Sequence, residues 1–255
     1  AGGHLNPLTQ IGPLCRSVED AALILGIIAG PDDRDPNVVN VPLGDYQRVE
    51  VSRLRGAICT DNDLVTPSPE VAQVLAEGTR VLGEAGVKLT EAWPSEAVVS
   101  TEMWRSLLTA DGAAWIRLLL EKAGTTEPSP IVADRFFDAE PLSTPEFAAL
   151  LRDWDHLRSV MTTFIADYDF ILSPTNAFAA APHGEVFAKG DGYTYTRIFN
   201  LTGWPTVIVR CGSTPEGLPI GLQIASRSFR EDVALAVAGH LEREFGGWQP
   251  PSLAQ

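Results

Sequence analysis

The chain has 255 residues, 45% hydrophobic and 20% charged, which is enough for a sizeable core in a globular protein. Its 33 acidic residues outnumber 19 basic ones, and the resulting net charge of −14 repels phosphate backbones and anionic lipid, so nucleic-acid and membrane partners are disfavoured. The longest apolar runs, such as Ala21–Ala29, are too short to span a bilayer.

The first element in chain order is a predicted helix at Ser17–Ala29. Ser17 and Asp20 have capping-box spacing, and Val18, Ala21, Ala22, Leu25, Ile28 and Ala29 fall on one stripe. Gly30-Pro31 stops it, and Asp32–Pro36 reads as an acidic loop. A strand is predicted at Ala57–Thr60. Ser68-Pro69 then opens a second helix, whose buried face is read as Val71, Val74, Leu75, Val81, Leu82 and Ala85. After the Gly86 stop comes a strand at Val87–Thr90. This strand–helix–strand order favours parallel strands in a layered α/β fold.

Residues 99–123 read as one helix, followed by a Thr-, Pro- and Gly-rich loop at 123–130. Another long helix runs from Thr144 to about Ala166, so the middle section at about 95–166 is a helical insertion. Strands return at Tyr168–Leu172, Thr206–Arg210 and Leu218–Ala225. The last two flank Ser213–Gly217, whose Pro-Glu-Gly is turn chemistry and predicts a hairpin. A final helix spans about Arg230–Phe245, stopped by Gly246-Gly247. The fold class expected is α/β, with a layered mixed sheet and covering helices in a single unit.

Chemistry-bearing patterns are sparse. Cys15, Cys59 and Cys211 are odd in number and widely spaced, which predicts buried free thiols in a cytoplasmic protein rather than a disulfide framework. His4, His156, His183 and His240 include no pair at zinc-ligand spacing, so neither metal nor cofactor is expected. There is no G-x-S-x-G elbow and no Ser-x-x-Lys. The three lysines, Lys88, Lys122 and Lys189, have no serine at short helical spacing and read as surface charges. The pairs Asp32/Asp33, Asp153/Asp155 and Asp167/Asp169 read as solvated edges. No phosphate-cradling glycine loop stands at a strand–helix junction, and Gly190-Asp191-Gly192 is a turn.

Three stretches do carry a resemblance. The first is Thr9-Gln10-Ile11-Gly12-Pro13-Leu14-Cys15-Arg16-Ser17-Val18-Glu19-Asp20-Ala21-Ala22, running on through Gly30-Pro31-Asp32 to Arg34-Asp35-Pro36. The second is Tyr168-Asp169-Phe170-Ile171-Leu172-Ser173-Pro174-Thr175. The third is Phe199-Asn200-Leu201-Thr202-Gly203-Trp204-Pro205, continuing through Gly217–Ile224. In order and spacing they resemble the amidase signature (Ser-Ser-Lys) family. The likeness covers nearly the whole chain and is weakest across 95–165.

The resemblance implies hydrolysis of a carbon–nitrogen bond in a small amide. A lysine base, a bridging serine on a cis peptide and a serine nucleophile would act with an oxyanion hole. The family's lysine and its Gly-Ser loop lie N-terminal to the segment matching Thr9–Pro36, so no catalytic residue can be assigned here. The chain is therefore expected to be the C-terminal portion of an amidase domain, with its true start elsewhere than Ala1-Gly2-Gly3-His4 and inactive alone. Its partner would be the missing N-terminal half or a second copy of itself. The alternative is a non-catalytic remnant or binding subunit. By likeness, Thr196, Phe199 and Trp204 would shape the acyl side of the pocket, with Thr175 and Asn176 at its mouth. Arg210 stands where the family often has proline, and Ala225 where it often has glycine. Arg210 is expected to point to solvent.

Overall fold

The strand–helix–strand unit read from the sequence is present in the computed structural model, which describes residues 3–185 and 191–250. Strand β1 (Arg55–Ile58) leads through helix α2 (Pro69–Glu84) to β2 (Lys88–Glu91), and the two strands pair in parallel, Arg55 opposite Lys88. Pro69 sits in the first turn of α2, where its missing N–H costs nothing. Val71, Val74, Leu75, Val81 and Leu82 are buried on one face, whereas Ala85, expected with them, is only half-buried at the helix end. Gly86 follows at φ +91°, a backbone conformation that glycine adopts without strain.

β3 (Phe170–Pro174) lies on the other side of β1, also parallel to it. The antiparallel pair β5 (Pro219–Ser226) and β4 (Thr206–Ser213) completes the sheet in the order β2-β1-β3-β5-β4. The predicted α/β class with a mixed sheet is therefore correct, and β4 and β5 form the expected hairpin around the Thr214–Gly217 turn. β4 runs three residues beyond the expected end at Arg210, through a register shift between Arg210 and Gly212.

Both faces of the sheet are covered, and the side-chain alternation of the strands divides the core in two. Ile58, Phe170, Leu172, Ile220, Leu222 and Ile224 face one side, against α2 and α8 (Glu231–Glu244). Ala57, Cys59, Ile171 and Ala225 face the other, against a helical layer. That layer contains α3 (Ser100–Thr109), α6 (Thr144–Ile165) and α7 (Thr194–Thr202), together with the 3-10 turn at Gly3–Leu8.

The middle section departs from the expected single helix. After α3 the chain breaks at Gly112 (φ +65°) and Ala113 (φ +61°), then resumes as α4 (Ala114–Lys122). A further short helix, α5 (Pro130–Phe136), follows the expected 123–130 loop, in a stretch for which no element was expected. The long helix α6 has the full capping box: the Ser143 Oγ accepts from the Glu146 N–H and the Glu146 carboxylate accepts from the Ser143 N–H. α7 has no counterpart among the expected elements. It ends on Gly203 at φ +69°, whose N–H reaches the Phe199 carbonyl, and the Trp154 indole N–H holds the Leu201 carbonyl at 2.8 Å.

Candidate functional site

The first predicted helix forms as α1 (Val18–Ile28), with the Ser17 hydroxyl accepting from the Asp20 N–H at 3.1 Å. Its apolar stripe turns inward over the first turns, with Val18 buried and Ala21, Ala22 and Leu25 half-buried, Ala22 and Leu25 against the core, and opens to solvent at Ile28 and Ala29. Val18 alone is buried along α1, while Leu23, Ile27 and Ile28 are 65%, 75% and 49% exposed. Just upstream, Ile11 and Leu14 stand almost fully in solvent. Across from the Gln10–Val18 segment lies β4, an edge strand of the sheet.

Between them runs an open groove of about 780 Å³. One wall is the segment Gln10–Val18 with Ala21 and Leu25 of α1. The other is Gly203–Arg210, which carries the chain from α7 into β4. Glu231, Leu235 and Glu242 of α8 border it, together with Gly247-Trp248. The groove thus joins two of the three stretches that carried the sequence resemblance, although nearly 190 residues separate them.

Three contacts fix the Gln10–Val18 wall. The Glu242 carboxylate accepts from the Val18 N–H at 3.0 and 3.2 Å through its two oxygens, capping α1 from another helix. The Arg16 guanidinium lies 4.6 Å from the centre of the Trp248 ring. The Asn200 side-chain N–H, on α7, donates to the Leu8 carbonyl at 3.0 Å just upstream of this wall. Arg210, expected to point to solvent, is half-buried along the groove. Its guanidinium reaches the Gly247 carbonyl at 3.5 Å and the Ser213 hydroxyl at 3.4 Å, both at the long limit of hydrogen bonding.

The five residues expected at the pocket do not converge on this groove. Trp204 lines it and is 4% exposed. Phe199 is buried behind it, with ring centroids 6.5 Å from Trp204 and 6.4 Å from Trp93. The other three use their polar groups locally. The Thr175 hydroxyl donates to the Gly221 carbonyl at 3.1 Å, and the Asn176 carbonyl oxygen accepts from the Phe178 N–H at 3.0 Å. The Thr196 hydroxyl donates to the Tyr193 carbonyl at 3.0 Å. Sequence reading does not find Arg16, Glu242 and Trp248 as groove residues. They come from the two ends of the chain, and no local pattern links them.

Among other reactive groups, Cys59 and Cys211 are buried as expected, and Cys15 is only half-buried in the groove wall. Burial drives the Cys59 thiol far above its usual range, aided by the Asp61, Asp63 and Glu91 carboxylates. Burial likewise pushes Cys211 up to about 12. Neither is a nucleophile at neutral pH. Lys88 is exposed on β2 and Lys122 at the end of α4, while Lys189 and Gly190 lie outside the described residues.

The amidase family model matches residues 4–235, most of the chain. The chain belongs to the amidase family. It is 30% identical over 246 residues to an acylamidase from Rhodococcus erythropolis, covering 91% of this chain and 51% of that protein. It is 28% identical to a glutamyl-tRNA(Gln) amidotransferase subunit from Beijerinckia indica, covering 92% of this chain and 54% of that protein. Among solved structures, a fatty acid amide hydrolase superposes with a TM-score of 0.79 at 24% identity, over 92% of this chain and 48% of that one. At that identity the superposition speaks to the fold. The chain spans about half the length of the curated relatives it matches.

Proposed function

We propose that this chain is the C-terminal, pocket-forming part of an enzyme that hydrolyses a carbon–nitrogen bond by acyl transfer to a serine. In this reading the nucleophile, its bridging serine and its lysine base belong to polypeptide corresponding to the other half of the amidase relatives. The observation that carries the reading is the groove, which brings the Gln10–Val18 stretch against the Gly203–Arg210 stretch across the sheet edge. The groups in and near it suit shaping more than chemistry. Ser17 is occupied as a helix cap, Glu242 holds a backbone N–H, and the described lysines sit elsewhere on the surface.

Within this reading, Trp204 supported by Phe199 forms an apolar wall for the acyl group. Thr175 and Asn176 hold the segment after β3, and Thr196 the first turn of α7, through their backbone hydrogen bonds. A small-molecule amide is the substrate class, and the cytoplasm is the compartment that the free thiols fit.

The test is an assay of the purified chain against a panel of acyl anilides and primary amides across pH 6–10. No turnover is expected from the chain alone. Turnover is expected once the polypeptide carrying a Gly-Ser loop and a lysine is supplied. Hydrolysis by the isolated chain would sink the proposal.

A further inference from the structure

The helical stripe that begins in α3 does not stop at the corner with α4. Ser100, Met103, Leu107 and Ala110 are buried at three- and four-residue spacing, and the next positions of that series are Ala114 and Leu118. Both face solvent, Leu118 at 38% exposure, and α4 buries none of its residues. The buried residue is instead Ala113, 0% exposed and held at φ +61°, a left-handed conformation that strains alanine and not glycine. The spacing thus encodes one continuous helix, and the fold bends it at a strained alanine. We propose that this corner is a two-state hinge. The bent form exchanges with a single straight helix over Ser100–Lys122, and the Pro141-Leu142 segment is the wedge that favours the bend.

The hydrogen bonds at the corner have two solutions. In a straight helix the Ala110 carbonyl accepts from the Ala114 N–H, and the Asp111 carbonyl from the Trp115 N–H. In the bend the Ala110 carbonyl accepts from the Leu142 N–H at 2.9 Å, and the Ala114 N–H turns to the Asp111 carbonyl at 3.3 Å. The Trp115 N–H is taken by the Asp111 carboxylate at 2.9 Å. Both donors of the helix therefore have partners in either form. Residues 139–142 lie against the corner: a Cβ built on Gly112 would stand 3.0 Å from Pro141 Cδ and 3.4 Å from the Ala139 carbonyl oxygen.

The moving part is α4. Its Arg117 donates to the Phe137 carbonyl at 2.9 Å and lies 4.2 Å from the centre of the Phe137 ring, so α4 draws the chain after α5 along with it. Straightening and withdrawal of the wedge are then one motion. The fixed part is α3, which Arg197 of α7 holds through the Thr101 hydroxyl and the Trp104 ring. Straightening relieves Ala113 and returns Ala114 and Leu118 to the stripe. Bending keeps the Leu142 hydrogen bond and the buried Ala113 methyl. Opposing terms this small leave a minor state at about 1–10% of the population. The device stands apart from the reading of the groove and needs no substrate to be seen.

The experiment is NMR relaxation dispersion on the whole chain, which reads exchange on the microsecond-to-millisecond scale. Exchange is expected at the amides of residues 110–115 and of Leu142, with a helical minor-state Cα shift at Ala113. Ala113→Gly lets the bend form without strain and puts glycine into the straight helix, so it should lower the minor population about tenfold or more. Leu142→Pro removes the competing donor and should raise it roughly fivefold. Exchange that emerges only in Leu142→Pro, with the same helical shift, also supports the hinge. Flat profiles in both the unmodified chain and Leu142→Pro overturn it. So does a minor-state Ala113 shift at the disordered value, which means local unfolding, and so does exchange that Ala113→Gly leaves unchanged.

Discussion

The Glu242 carboxylate near the end of α8 accepts from the Val18 N–H at the start of α1, through oxygens 3.0 and 3.2 Å away. The residues are 224 positions apart. A carboxylate at a helix N-terminus satisfies an orphan donor and meets the positive end of the helix dipole. Ser17 takes the next donor, from Asp20, so two side chains share the cap. The contact stands beside the packing of Val18, Ala22 and Leu25 of α1 on the core.

Removing it has a predictable cost. Glu242→Ala should destabilise the chain by about 1–2 kcal/mol, the range for a charge-assisted cap. Glu242→Gln keeps one acceptor without the charge and should lose roughly half of that. Urea midpoints at constant slope would measure both. Equal losses for the two variants would mean that the charge contributes nothing.

A second prediction concerns Gly203. Its φ of +69° puts it in the left-handed region, and a built Cβ would meet nothing closer than Gln10 at 3.9 Å. Space is available, so the cost of Gly203→Ala is conformational, about 1–2 kcal/mol. Trp204 follows directly, so a displaced cap would also move the groove wall. The check is a thermal melt together with Trp fluorescence. An unchanged melting temperature would show that the C-terminus of α7 tolerates another geometry.

α7 also shows where sequence reading stops. Thr194-Tyr195-Thr196 and Ile198-Phe199 are β-branched and aromatic, residue types that favour strands, and burial on the sheet overrides that preference. The break at Asp111–Ala113 carries a faint signal in Asp-Gly, outweighed by the apolar spacing on both sides. By contrast β1, α2, β2, the β4–β5 hairpin and α8 are legible, because each has its periodicity bounded by proline, glycine or a cap. For the site, motif likeness points to the right two stretches of chain. It cannot show that Thr175, Asn176 and Thr196 spend their polar groups on the backbone. Nor can it find Glu242 and Trp248, whose role depends on how the chain ends meet.

The thiols give a pH prediction. Cys59 and Cys211 are raised by burial, Cys59 far and Cys211 from 9.0 to about 12. Above the unfolded thiol value of about 9 the unfolded chain loses these protons and the native chain keeps them. The native state then binds more protons, so stability falls as pH rises from about 9 towards 12. Cys211→Ala should flatten that slope, at the expense of a small cavity. At pH 8 a disulfide reagent should label Cys15 quickly and the other two only in urea. Rapid labelling of all three in the native protein would contradict their burial.

The last prediction tests a buried charge that joins two helices of one layer. Arg197 of α7 is 5% exposed, pairs with Asp191, donates to the Thr101 hydroxyl at 3.3 Å and stacks over Trp104 at 4.9 Å, so it ties α7 to α3. Asp191 is itself partly open to solvent, which reduces what the pair contributes. Asp191→Asn leaves the guanidinium buried without its counter-charge and should cost about 2–3 kcal/mol. Arg197→Met in the same background removes the stranded charge and retains much of the packing against Trp104. The double variant should therefore be more stable than Asp191→Asn alone. A double variant less stable than that single change would show that the cation stabilises α7 through Trp104 and Thr101 independently of Asp191, and a double-mutant cycle in urea separates these outcomes.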